Sequence, residues 1–275
     1  MVALIIWVAS LQRRRVVAAA LLLGAPWRVC TERGPTRSHG RGRLPRPPNA
    51  RACDPFRVYV PDHFRPTDAE VAELLANIGA AELITATADG ILATFLPLIH
   101  EPAGSTPEAG PRGRFLGHVA RNNRQWKTEA LGEALVIVRG PDAYVSPSWY
   151  ATKAEHGRVV PTWNYVTAHV HGRLVVHDEP AWVEGNVRAL VALHESRREH
   201  PWAVNDAPAD FLAGQLRAIV GVEVVISRIE GKLKLSQNRS RADVEGAIAG
   251  LEQVGDAASS ATAAAMRAAE DVRGR

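Results

Sequence analysis

Cysteine is nearly absent from this 275-residue chain: Cys30 and Cys53 are the only two, and residues 56–275 have none. That stretch can therefore hold no disulfide, no cysteine nucleophile and no thiolate metal site. The pattern fits a reduced, cytoplasmic setting. Long apolar runs are lacking as well. MVALIIWVAS and VVAAALLLGAP, near the N-terminus, both fall short of the roughly 20 residues that a spanning helix needs, so no membrane partner is expected. The sequence also lacks GxGxxG after a strand, GxxxxGK[ST] and GxSxG. The usual dinucleotide, P-loop and nucleophile-elbow chemistries are thereby set aside.

Basic charge is scarce where a folded body would be. The formal net charge is +4, but residues 1–55 hold ten arginines against Glu32 and Asp54. That leader carries +8, which leaves −4 for residues 56–275. Without it the electrostatic case for binding DNA is weak. RRR, eleven small or apolar residues and then GAPW superficially resemble a signal peptide. The Arg/Gly/Pro run 33–51 cannot bury enough apolar surface to offset chain entropy and is expected to be disordered. We read 1–57 as a disordered leader ahead of a true start at Val58.

Periodicity organises the remainder. Apolar residues at 71, 74, 75 and 78 predict a helix over 66–79, capped by Thr67 or Asp68 and stopped by Gly79. Residues 81–99 alternate about Asp89-Gly90, a hairpin signal. Residues 101–113 read as a loop, 114–120 as a strand, and 124–132 as a short helix. Two strands follow, 134–140 and 142–148, separated by Gly140-Pro141. A long strand spans 162–178 with a bulge at Gly172. Helices are expected over 180–199 and 208–221, and a hairpin over 222–237 around Glu230-Gly231. The tail from 241 is Ala-rich, helical at first and then frayed. Six or more antiparallel strands with inserted helices predict an α+β barrel.

Metal chemistry finds little support. HESRREH (194–200) lacks a second histidine at 198, which is Arg198. His169 and His171 share one strand face, but no nearby carboxylate or cysteine completes a set, so no metal is expected. Anion chemistry finds more. In GHVARNNRQW (117–126), His118, Arg121 and Asn122 can donate, and a following helix would offer free N–H groups. The alternative there is a capped turn with solvated arginines. Residues 144–165, YVSPSWYATKAEHGRVVPTWNY, concentrate Trp149, Trp163, Tyr144, Tyr150 and Tyr165 beside hydroxyls and cations. Ser146, Ser148 and Lys153 could hold a phosphate. Trp149, Trp163 and Tyr165 could wall a flat ring whose polar edge meets Asn164. The same residues could equally be aromatics that stabilise a hairpin.

These stretches, with VYVPDHF (58–64), LPL (96–98), AHVHG (168–172), PWAVNDAPADF (201–211), QLRAIVGVE (215–223) and KLKLSQNRS (232–240), resemble the PaiB family of FMN-binding negative transcriptional regulators over about residues 58–252. The resemblance implies an FMN-binding split β-barrel related to pyridoxamine-phosphate-oxidase and flavin-reductase proteins. It implies a homodimer with FMN at the subunit interface, and it leaves 253–275 as a partly disordered tail. Phosphate contacts are then expected from His118, Arg121, Asn122, Ser146 and Ser148, and ring contacts from Trp149, Trp163, Asn164 and Tyr165. Thr162, Lys153, Lys234 and Gln237 complete the candidate set, with no catalytic residue assigned. The expected role is a cytoplasmic regulator, with DNA as a partner the body's charge does not favour. The alternative is an FMN-dependent oxidoreductase without direct DNA binding.

Overall fold

The computed structural model describes residues 58–273; the expectation for the leader lies outside them. Six strands close into one antiparallel barrel: β1 (Ala80–Thr87), β2 (Gly90–Glu101), β3 (Arg114–Ala120), β4 (Ala134–Val145), β5 (Thr162–His177) and β6 (Ile219–Lys234), in the order β1-β2-β3-β6-β5-β4. The expected α+β split barrel is the fold found. Six helices flank it: α1 (Asp68–Ala76), α2 (Thr152–His156), α3 (Pro180–Glu195), α4 (Ala209–Arg217), α5 (Arg241–Val254) and α6 (Ala257–Arg273).

Local chemistry explains most boundaries. Thr67 caps α1 in a reciprocal box: its hydroxyl accepts from Glu70 N–H, and the Glu70 carboxylate accepts from Thr67 N–H at 2.7 Å. The β1–β2 turn sits one residue earlier than expected, since Thr87 already pairs with Gly90. β4 is one strand, and Gly140-Pro141 is an irregularity in its pairing with β5 between Arg139 and Asp142. Proline has no N–H for the ladder, so pairing lapses there without ending the strand. The bulge at Gly172 is present: the β5–β6 register shifts between His171 and Gly172. A Cβ there would come within 2.4 Å of Val225 O.

Two expected elements are corrected. Residues 222–237 are not a hairpin, because β6 pairs with β5 all the way from Gly221 to Lys234. Gly231 is there for clearance, not for turning: a Cβ would lie 2.5 Å from the Pro66 ring. Residues 124–132 form a single turn and not a helix. The Gln125 amide is drawn inward to donate to Leu83 O (3.0 Å) and Thr85 Oγ1 (3.2 Å), which ties the segment to β1.

The barrel interior is filled by alternating residues of all six strands, among them Leu83, Leu98, Phe115, Val136, Val170 and Val224. A second core lies where β4, β5 and β6 run out beneath α5 and α6, and it includes Val145, Val166, Leu235, Leu251 and Met266. The C-terminal region is therefore not a frayed tail. α6 runs to Arg273 and buries Ala263 and Met266.

Candidate functional site

Strand alternation decides which aromatics can meet a ligand. Trp163, Tyr165 and Thr167 project from the outer face of β5, while Asn164, Val166 and Ala168 point inward and are buried. Across the ladder Tyr144 pairs with Trp163, and Asp142 with Tyr165. Asp142, Trp163 and Tyr165 border a cavity of about 420 Å³ that Arg139 and Thr167 also line. Trp163 is half exposed, and its Nε1 donates to Asp142 Oδ2 at 3.2 Å. Arg139 holds the same carboxylate oxygen at 3.2 Å. The Tyr144 and Trp163 rings meet edge-on, 6.3 Å apart.

Positive charge gathers beside these rings. Lys232 Nζ lies 5.6 Å from the centre of the Tyr165 ring. Lys234 Nζ donates to Thr162 Oγ1 and to Trp163 O, the latter at 2.6 Å. Burial, then the neighbouring Lys232 and Arg239, pulls the Lys234 ammonium below the usual lysine range. A flat aromatic wall with ammonium groups at one side suits a planar ring that carries an anionic tail. Arg139, Asp142, Tyr144 and Lys232 belong to this face and were not singled out from the sequence. Asp142 and Tyr144 are in cross-strand register with the candidates Tyr165 and Trp163, whereas Arg139 and Lys232 both pair with Thr167, which the sequence did not mark.

The other expected contacts go elsewhere. Arg121 spends its guanidinium on Asp178 (3.0 Å from Nη1 to Oδ2), on Arg217 O (2.7 Å from Nε) and on Ile219 O (3.1 Å). It ties the end of β3 to the start of α3 and the end of α4. His118 Nδ1 lies 3.2 Å from Asn186 Oδ1 under α3, and burial holds the imidazole below its ordinary pKa. Asn122 is exposed in the turn. The helix N-terminus expected to complete an anion site here does not exist. This group pairs with the start of β6, at Ile219–Gly221, whereas Lys234 ends that strand. Thirteen residues of strand, roughly 40 Å of contour, separate the two groups within one chain.

Ser146 caps a short turn, with its Oγ accepting from Ser148 N–H at 3.2 Å. Lys153 Nζ donates to Ser148 Oγ at 3.0 Å. Trp149 is no ring wall: it packs on α5, where a Cβ on Gly250 would fall within 2.2 Å of its indole. Asn164 is enclosed, its Nδ2 donating to Ser236 Oγ (2.9 Å) and meeting Met266 Sδ (3.3 Å). Gln237 is likewise buried, donating to Leu233 O (2.7 Å) and accepting from Leu235 N–H (2.8 Å). These bonds hold Ser236 at φ +69°, the one non-glycine residue with positive φ among the described residues. The expected meeting of Asn164 with a ring edge is not met, because period-2 alternation turns it from its neighbours.

Residues 58–228 match the model of the family described as "Putative FMN-binding domain". The chain belongs to this FMN-binding family. Protease synthase and sporulation protein PAI 2 of Bacillus subtilis (strain 168) is 29% identical over 197 residues, or 71% of this chain and 89% of the relative. The protein AN0679 of Emericella nidulans is 30% identical over 192 residues, covering 60% and 76% of the two chains. Two solved structures are looser likenesses. The flavocytochrome Anf3 of Azotobacter vinelandii has a TM-score of 0.43 and 14% identity over 62% of this chain and 68% of its own. Protein Rv2991 of Mycobacterium tuberculosis has 0.45 and 11%, over 67% and 95%. The family's cofactor is FMN or a related flavin, and the aromatic and cationic face of β4, β5 and β6 fits it. Among the described residues no helix is long and apolar enough to cross a membrane, and no cluster of three His, Cys, Asp or Glu could hold a metal.

Proposed function

We propose that this PaiB-like protein is a cytoplasmic homodimer that holds FMN against the outer face of β4, β5 and β6. The observation that carries the reading is the exposure of the outer surface that runs from β2 across β1 to β4 and β5. Phe95 (65% exposed), Ile91 (75%), Tyr144 and Trp163 all stand outward. Register aligns Phe95 with Glu82, Ile137 and His169, and Ala93 with Ile84, Leu135 and His171. Glu82 and Ile137 also line the flavin cavity, so a second copy seated on this surface would roof the ligand. Apolar residues grouped in this way are costly to leave in water. A two-fold interface would use the same patch on both chains.

The chain's own part is to bind and orient. Trp163 and Tyr165 supply the wall, Lys232 and Lys234 the positive charge, and Thr162 fixes the Lys234 amine. Bound flavin would supply electron-transfer capacity. Ser148, Lys153 and Asn122 are exposed polar groups outside the cavity, and we assign them to contacts made from the second copy. Addition of FMN to the purified chain is expected to give a yellow dimer. Trp163→Ala should weaken binding about tenfold, the order of one aromatic stacking contact, ~1–1.5 kcal/mol. A chain that stays colourless after saturation overturns the reading.

We further propose that the flavoprotein acts as a negative transcriptional regulator, a reading that rests on the resemblance of residues 58–252 to the PaiB family. With net charge −4 over residues 56–275, nonspecific attraction to DNA is small, so binding must come from specific contacts. Gel-shift at physiological salt is expected to show operator-selective binding. Binding that is indifferent to sequence and vanishes with salt would belong to the leader's arginines and would remove direct DNA binding from the proposal.

A further inference from the structure

The closed barrel has one flank where β6 outruns β3. Beyond Arg114, which pairs with Val225, β3 leaves β6, and the last bond across runs from Ile226 N–H to Gly113 O at 3.1 Å. β6 continues to Lys234 with only β5 beside it. Residues 58–67 and α1 cover this flank. Pro66 lies on Gly231, and Val58 N–H reaches Glu230 Oε2 at 3.5 Å. The cover is incomplete. A cleft of about 660 Å³ remains between α1, the 100–112 loop and β6, a size typical of small-molecule sites.

Its chemistry has one direction. Val71, Leu75 and Ile229 give it apolar walls, and Arg65 and Arg112 stand among its lining residues. Arg65 pairs only with the exposed Asp62, at 3.2 Å, and Arg112 has no partner among the described residues. Of the two lining carboxylates, Asp68 offsets one of these charges and Glu230 is already spent on its own partner. Glu230 is bound to Arg228, and Asp68 sits in the first turn of α1, where the helix dipole favours it. His100 also lines the cleft; its Nε2 is buried and lacks a partner. Burial lowers its pKa and keeps the ring neutral at pH 7, so its Nε2–H tautomer would be a donor without a desolvated charge.

We propose that this cleft binds an organic monoanion, a carboxylate or sulfonate on a flat apolar body, with its head at Arg112 and Arg65 and its body over Val71, Leu75 and Ile229. It shares no lining residue with the flavin cavity and stands independently of the flavin reading. The probe is 8-anilinonaphthalene-1-sulfonate, titrated calorimetrically into the full chain with and without saturating FMN. One site of equal affinity in both states is expected. Arg112→Glu, which reverses the charge, and Ala72→Phe, which fills the cleft from an exposed position, should each weaken it at least tenfold with unchanged circular dichroism. Phe95→Ala, on the outer face of the barrel, should leave it unaltered. Equal affinity in Arg112→Glu and Ala72→Phe, displacement by FMN, or loss only in Phe95→Ala would each overturn the assignment.

Discussion

At the scale of single residues, neighbours in sequence have opposite fates. Trp163 is half in solvent, while Asn164 is fully enclosed between Ser236 and Met266. Both lie in the PTWNY cluster, and composition alone marks both as ligand-facing. Histidines divide in the same way. His118 sits under α3, and burial holds its pKa below the ordinary value, only partly offset by its bond to Asn186. The sign follows from linkage: the unfolded chain takes up a proton near pH 6.5 and the folded site resists it, so stability present above about pH 6.5 is lost as pH falls. Urea midpoints are expected to fall between pH 7.5 and pH 5. His118→Gln should flatten that fall, and only in part, since burial lowers His100 in the same direction. An unchanged slope in the variant would show that His118 does not carry the effect.

Elements show why some signals in the sequence mislead. Glu230-Gly231 and Gly140-Pro141 look like turns, yet both lie inside strands that partner strands keep extended. In each case a glycine tolerated by the ladder serves a close approach: Pro66 presses on Gly231, and the Val166 side chain would be 2.8 Å from a Cβ on Gly140. The same logic operates on α5. Gly246 and Gly250 leave a shallow track in which Trp149 lies, with its carbonyl and indole within 2.1 and 2.2 Å of the would-be Cβ atoms. Gly250→Ala should gain helix propensity and still destabilise the protein, by about 1–3 kcal/mol from overpacking. The double variant with Trp149→Leu should recover part of that loss. Chemical denaturation of the three proteins measures it, and a more stable Gly250→Ala would refute the packing account.

The whole molecule adds what no element carries alone. α6 lies beyond the family-matched region 58–228, yet it supplies Met266 and Ala263 to the second core. Removing residues 257–275 takes Ala263, Met266 and Ala269 out of the second core and should cost on the order of 3 kcal/mol or more, like a large-to-small core change. A truncated chain with the full-length urea midpoint would restore the picture of a dispensable tail. The exposed face of β2, β1, β4 and β5 makes the matching prediction for assembly. Phe95→Arg, at a position 65% exposed, should leave the monomer folded but shift sedimentation from dimer to monomer and weaken FMN binding with it. A Phe95→Arg dimer with normal FMN affinity would place the interface elsewhere.

Alternating apolar residues, the bulge at Gly172, the helix cap at Thr67 or Asp68 and the long motifs of residues 58–252 determined by themselves that this chain is an α+β barrel of the PaiB family with a flavin cofactor. Those features depend on near neighbours in sequence, and the chemistry of caps, ladders and periodic burial is local. Tertiary structure alone decided where each candidate side chain went. Arg121 found Asp178, Asn164 found Met266, and Lys234 found Thr162, each across more than fifty residues of chain. Such pairings come from barrel closure and strand register, and a one-residue difference in register exchanges the face that meets a ligand for the face that fills the core.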